Sequence, residues 1–244
     1  MKTDPFAAAI LAGGAATRLR PLTDTIPKAL IHVNGEPFIY HQLRLLKLRG
    51  LTRVVVCTGY LGEMIVDSVG DGSQFDLDVR YSSDGPILLG TGGAIKKARS
   101  LLGENFFILY GDSYLECDYL AIQGTFLGYQ KLGLMTVFRN DGKWDRSNVE
   151  YTENHIISYD KVNRTERMHH IDYGLGILNE AALKMVPDNC VYDLATLYQD
   201  LLAKEQLAAV EVDHRFYEIG THGGLEELSS HLIDKHHSPG ETCL

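Results

Sequence analysis

The chain has 244 residues, 45 % of them apolar and 23 % charged, with a formal net charge of −9. That length suits one α/β domain, and the composition suits a globular protein with a buried core. The acidic balance excludes a nucleic-acid groove, which needs clustered Lys and Arg, but leaves room for a local basic pocket.

Met1 to Ala12 lacks the length and order of a signal peptide, and no stretch reaches the ~18 apolar residues of a membrane span, so a cytoplasmic protein is expected. Phe6 to Ala12 reads as a buried strand that stops at Gly13-Gly14. Ile39, Leu43, Leu46 and Leu48 space a helix over 36–49, with Gly50 as its stop. Arg53 to Cys57 is a second buried strand, 61–69 a short helix, and Val79 to Ser82 a strand. Gly92 to Leu102 is a helix opened by glycines. Asn105 to Tyr110 is another buried strand, with Gly111-Asp112 at its end. Tyr119 to Lys131 reads as a helix and Gly133 to Phe138 as a strand. From Asn140 to His170 the pattern shifts to short alternating pieces, 148–152 and 155–159, which predict a small antiparallel excursion. A strand over 171–178, a helix over 193–204, strands over 207–212 and 215–218, and a closing helix over 223–233 follow. No period survives after Asp234. The four cysteines, Cys57, Cys117, Cys190 and Cys243, lie far apart, against a zinc ribbon or a dense disulfide framework.

Alternation of strand and helix predicts a mostly parallel sheet covered on both faces, whose ligands sit outside the carboxyl ends of the strands. Gly13-Gly14 and Asp112 both fall at such ends. Glycines after a strand let backbone N–H groups approach an anion. Arg18 can grip phosphate oxygens with two parallel N–H groups, and Lys28, placed by Pro27, adds a compact charge. A polyanionic ligand is the natural client.

The string Leu11-Ala12-Gly13-Gly14-Ala15-Ala16-Thr17-Arg18-Leu19-Arg20-Pro21-Leu22, with Pro27-Lys28-Ala29-Leu30 downstream, resembles the sugar-1-phosphate nucleotidyltransferases. Leu89 to Ala94, Gly111-Asp112 and Glu218 to Thr221 agree, so the resemblance covers about 6–230. Leu89-Gly90-Thr91-Gly92-Gly93-Ala94 is most similar to the bacterial heptose-1-phosphate guanylyltransferase type. The resemblance implies a Rossmann-like, GT-A-like α/β fold in one domain over 1–236. Residues 1–139 would bind the nucleotide and 140–222 the sugar, with 237–244 a frayed tail. It implies that Leu11, Ala12, Gly13, Gly14, Ala15 and Thr17 line the nucleotide, along with Gly90, Thr91 and Gly92. Arg18 would hold the triphosphate, and Lys28 would neutralise charge near the reacting phosphate. Asp112 matches the first magnesium ligand, and Glu218 stands where the family has an aspartate as the second. Lys161 is similar to the lysine that contacts the sugar phosphate. Asp172-Tyr173-Gly174 stands where many members have Asn-Ala-Gly, and Asn148 joins the sugar side.

The implied reaction joins a nucleoside triphosphate to a sugar 1-phosphate and releases pyrophosphate. UTP or dTTP as donor, and a non-catalytic nucleotide-sugar-binding regulator, stand as alternatives to GTP chemistry. A nicotinamide oxidoreductase would need G-x-G-x-x-G, whereas here the glycines are adjacent. Asp84 lies where the family lines the base pocket. Its carboxylate could accept from guanine's two adjacent donors, or it could simply belong to an Asp-Gly turn. His169, His170, His231, His236 and His237 read as surface histidines, and Trp144 as either a sugar platform or a packing residue. The partners expected are small molecules, with no nucleic acid or membrane. Oligomeric state is left open, a homo-oligomer included.

Overall fold

The computed structural model describes residues 4–14, 17–188 and 190–237. In chain order the elements are β1 (Ala7–Ala12), β2 (His32–Val33), β3 (Glu36–Pro37), α1 (Phe38–Leu48), β4 (Arg53–Thr58), α2 (Gly62–Val69), β5 (Asp78–Ser83), α3 (Gly90–Leu102), β6 (Asn105–Tyr110) and β7 (Ser113–Leu115). Then come α4 (Tyr119–Tyr129), β8 (Gly133–Arg139), β9 (Val149–Thr152), β10 (His155–Tyr159), β11 (His170–Asn179), α5 (Leu194–Ala203), β12 (Leu207–Val212), β13 (Phe216–Glu218) and α6 (His222–His237). Among the described residues, no helix is long and apolar enough to cross a membrane.

β5, β4, β1 and β6 lie side by side and parallel, in register at Ser82, Cys57, Leu11 and Tyr110. Their apolar runs are buried on both faces because side chains alternate between two layers of helices. Ala8 and Ile10 of β1 join Phe107 and Leu109 of β6 in one core with α1, α2 and α4. Ala9, Phe106 and Ile108 point the other way, onto α3 and α5. All four strands therefore end along one edge, where Gly13, Gly59, Asp84 and Gly111 follow.

Past β6 the sheet turns antiparallel. Leu175 to Asn179 of β11 pair with β6, and β8 lies on the other side of β11 and carries β12 parallel to itself. The β9–β10 hairpin joins through His170. It is the expected excursion, set as an extension of the main sheet. The β11–β8 register breaks between Asp172 and Gly176. At this break Gly174 has φ +96 and passes 3.5 Å from Tyr110 and 3.6 Å from the Ser113 hydroxyl, measured from where a side-chain carbon would sit. A glycine permits both that φ and that approach.

β7 and β13 form a separate antiparallel ribbon in which Ser113 faces Glu218. A third core of Leu19, Ile31, Val33, Phe38, Tyr114, Ile219, Leu228 and Leu232 clamps this ribbon under α6. The last helix runs on to His237, and Lys235 makes an ion pair with the buried Glu116. Residues 238–244 of the expected tail lie outside the described residues. Two histidines read as surface groups are packed instead. His231 reaches Glu116 at 2.5 Å and stacks on Tyr217 with centroids 4.2 Å apart, and His170 is buried with Glu211 at 3.0 Å. Trp144 packs against Phe138 and under the Arg215 guanidinium, 4.8 Å from its ring centre, while staying 40 % exposed.

Gly111 sets how closely β6 approaches the end of β1. A side-chain carbon there would lie 2.8 Å from the Leu11 carbonyl oxygen and 3.0 Å from Ala12, so the backbone would have to move. Gly111→Ala is expected to destabilise the chain by roughly 1–3 kcal/mol, the range for overpacking a tight core. Urea unfolding checks this; an unchanged midpoint would mean that the contact yields freely.

Candidate active site

Two pockets open on the carboxyl edge and meet at Tyr110 and Asp112. The first, about 290 Å³, is lined by Leu11, Ala12, Gly13 and Gly14, by Lys28, Cys57, Asp84 and Leu88, and by Gly90, Thr91 and Ala94. Ala15 lies outside the described residues, as does the side chain of Thr17. Gly13 packs flush on Gly59: a side-chain carbon on Gly59 would lie 2.6 Å from the Gly13 carbonyl oxygen.

Asp84 is buried at the end of β5. Its backbone N–H donates to the Thr58 carbonyl, and its Oδ2 accepts from the Leu89 N–H at 3.0 Å. Its Oδ1 is buried without a partner. Burial pushes the carboxyl up from its usual range, while the Leu89 N–H and Lys97 pull the other way. An unpartnered buried acceptor costs free energy.

The glycine-rich opening of α3 divides between roles. Gly90 and Thr91 line the pocket. The Gly92 and Gly93 N–H groups donate instead to the Tyr192 carbonyl, and a side-chain carbon at either glycine would strike 190–193. The Thr91 hydroxyl is hydrogen-bonded to Asp193 and to the Leu194 N–H, at the start of α5. Gly92 therefore sits in a helix-to-loop packing contact and not in the pocket wall.

The second pocket, about 250 Å³, holds Arg18, Asp145, Asn148, Lys161, Arg164, Asp172, Gly174 and Glu218. Lys161 Nζ donates to the Tyr110 hydroxyl at 3.2 Å, lies 5.1 Å above that ring's centre and stands 3.5 Å from Asp172. Asp172 accepts from Tyr159 and from the Gly174 N–H, and its own N–H donates to Asn148. The Tyr173 side chain turns the opposite way, into the core against Phe138 and Phe216. That is the alternation of a strand; Tyr173 still lines this pocket as a residue while its ring packs inward. Tyr110, Asp145 and Arg164 were not singled out from sequence. Tyr110 could have been, since it immediately precedes Gly111-Asp112 at a strand end.

At the junction Lys28 Nζ lies 2.5 Å from Asp112 Oδ2. The Ile219 N–H donates to the Asp112 carbonyl at 2.9 Å, which draws the β13 end onto the Asp112 turn. A side-chain carbon at Gly220 would be 3.3 Å from Lys28 Nζ, 3.6 Å from Arg18 Nη2 and 3.8 Å from Glu218 Oε2. Residues 18, 28, 112 and 218 thus converge although they span the chain. Burial raises the Glu218 carboxyl above its usual range, as do the charges of Asp112 and Asp145, while Lys28 and Arg18 oppose.

A family model described as nucleotidyl transferase matches residues 7–145, more than half of the chain. The chain belongs to that family. The nucleotidyl transferase fold extends past the matched part. HddC from Yersinia pseudotuberculosis, solved complexed with GMP-PN, superposes with a TM-score of 0.79 at 25 % identity, over 93 % of this chain and 99 % of that one. The N-acetylmuramate alpha-1-phosphate uridylyltransferase of Neisseria meningitidis is 42 % identical over 115 residues, 47 % of this chain and 50 % of the relative. The mannose-1-phosphate guanyltransferase of Aspergillus fumigatus is 30 % identical over 186 residues, 73 % of this chain and 51 % of the relative. The chain spans about half or less of the curated relatives it matches.

Divalent metals serve this family, and the donor set can be tested for fit. Among the described residues no group of three or more His, Cys, Asp and Glu is placed to hold a metal ion. Asp112 and Glu218 form a pair of hard oxygen donors whose mutual repulsion a cation would relieve. Magnesium is commonly bound through one or two carboxylates plus phosphate oxygens, so the pair fits a metal that arrives with a triphosphate.

The raised Glu218 carboxyl gives a signed prediction. A group whose folded pKa is raised adds stability below its unfolded pKa, and that stability is lost as pH rises through the folded pKa. In metal-free buffer Glu218→Gln should melt like the parent under acid conditions and above it at neutral pH. Thermal melts across pH check this; a variant less stable than the parent at neutral pH would contradict it.

Proposed function

We propose that the chain transfers a guanylyl group from GTP to the phosphate of a sugar 1-phosphate, a heptose or hexose, with release of pyrophosphate. The observation that carries the reaction class is the pair of pockets sharing Tyr110 and Asp112. One has the glycine edge, the other the cations and acids of a small polar ligand. A sugar phosphate is mostly dianionic at neutral pH, since its second pKa is near ~6, so its oxygen needs no general base. It attacks the α-phosphorus in line, with pyrophosphate leaving. What the protein supplies is proximity of two anions and neutralisation of the charge between them. Arg18 and Lys28 hold phosphate oxygens, and Lys161 steadies the incoming sugar phosphate. Asp112 and Glu218 would hold a magnesium ion, which lowers the repulsion between the phosphates.

A guanine preference is drawn from the Asp84 carboxyl, whose residue lines the first pocket. Guanine offers adjacent N1–H and 2-amino donors, whereas uracil and thymine set one donor between two acceptors. The GMP-PN bound by HddC, a match over nearly its full length, supports a guanine nucleotide. UTP is the rival reading, favoured by the name of the Neisseria relative. Residues 1–139 would carry the nucleotide part and 140–222 the sugar part of one domain. The cytoplasm, where nucleoside triphosphates are made, is the compartment that suits this chemistry.

Pyrophosphate release measured with GTP, UTP, dTTP, CTP and ATP against several sugar phosphates tests the reading. GTP should give the highest kcat/KM, and Asp84→Asn should lower it for GTP by roughly 1–3 kcal/mol, the cost of a lost charged hydrogen bond. Equal losses with every base would remove Asp84 from base recognition. Asp112→Ala should lose most turnover while remaining folded. Unchanged turnover in that variant, or full rate in excess chelator, would refute the metal assignment.

A further inference from the structure

We propose that Gln42 is a positioning residue for the Asp112–Glu218 pair; the inference rests on reading that pair as a divalent-cation site. Gln42 lies on the buried face of α1, in line with Ile39, Leu43 and Leu46, and is itself only 1 % exposed. A polar residue in an apolar stripe has to find partners or it destabilises the fold. Gln42 finds two with a single nitrogen. Its Nε2 donates to the Tyr110 carbonyl at 2.9 Å and to the Ser113 carbonyl at 2.9 Å.

Those carbonyls bracket Gly111-Asp112. The chain leaves the main sheet at Tyr110 and enters the β7–β13 ribbon at Ser113; between them one backbone hydrogen bond ties Gly111 N–H to the Leu11 carbonyl and one ties the Asp112 carbonyl to the Ile219 N–H, each at 2.9 Å. The amide fork fixes both ends of that step. From Asp112 the restraint passes on through its carbonyl to the Ile219 N–H at 2.9 Å, next to Glu218. One buried amide on α1 is thereby coupled to both carboxylates.

The orientation of the amide is decided by its neighbours. Two carbonyl oxygens at hydrogen-bond distance require the NH2 group, because the reversed amide would set oxygen against oxygen. The Oε1 left over is buried without a partner. Leucine or methionine would fill this site without that cost, so the two donated hydrogen bonds are the function of the side chain. Substituting the outer groups that hold metal-ligating residues typically weakens metal binding about 10–100-fold.

The test is Mn2+ binding to the protein saturated with a non-hydrolysable GTP analogue, read in electron paramagnetic resonance as the loss of free-ion signal beyond that caused by the analogue alone, together with metal-free nucleotide binding and thermal unfolding. Gln42→Met keeps the volume and loses both donors; Gln42→Asn keeps the amide but falls short of spanning the two carbonyls. Each folded variant should bind Mn2+ at least about tenfold more weakly, while metal-free nucleotide affinity stays within about twofold of the parent. If Asp112→Ala loses Mn2+ and a folded Gln42 variant keeps parental affinity, Gln42 does not position the pair. If Asp112→Ala itself binds Mn2+ like the parent, the cation site fails and the inference falls with it. Loss of cooperative unfolding in both Gln42 variants would also overturn it, since the amide would then hold the fold as a whole.

Discussion

The hydrogen bond from the Ile219 N–H to the Asp112 carbonyl joins two segments that are a hundred positions apart, and the site depends on that junction. It closes the end of a three-residue ribbon, β7 with β13, in which Ser113 faces Glu218. Such a ribbon has too few ladder bonds to stand alone. It is held from below by the core under α6, from the side by Gln42, and from above by the Gly174 bulge of β11. Strand, helix and bulge are each spent on keeping two acidic side chains near one point.

Bringing carboxylates together costs energy, and the surroundings show how it is offset. Lys28 takes Asp112 directly, and Arg18 approaches the same point, so the cations that would meet phosphate oxygens are already neutralising acids. Lys161 is similarly engaged with Asp172 and the Tyr110 hydroxyl. A protein with net charge −9 can therefore present a locally balanced site that exchanges internal partners for a polyanion and its counter-ion.

The parallel half of the sheet was legible because β1, β4 and β6 are unbroken apolar runs followed by glycine or Asp, a pattern set by burial on both faces. Placing Gly13, Gly14 and Asp112 on one edge followed from topology alone. What could not be read has physical reasons. β7 is three residues, too short for any period, and its pairing with β13, a segment that did read as a strand, is long-range. Gly92 was expected to line the nucleotide from the resemblance, but glycine serves close backbone approach to any neighbour, and here that neighbour is Tyr192. Tyr173 sat inside a family motif, but strand alternation sends its ring to the core. The reach of α6 to His237 hinges on Glu116, buried far from it in sequence. Gln42 did leave a mark, a polar residue in the helix's apolar stripe, visible only when the question is where its hydrogen bonds go.

The central claim is that Asp112 and Glu218 share one cation at the meeting point of two pockets. Anomalous diffraction from crystals holding Mn2+ and a non-hydrolysable GTP analogue tests it most directly. The account predicts a single strong peak in contact with oxygens of both carboxylates and of the nucleotide's phosphates, with guanine against Asp84. A cation bound by phosphates alone, or by carboxylates other than these two, would contradict it.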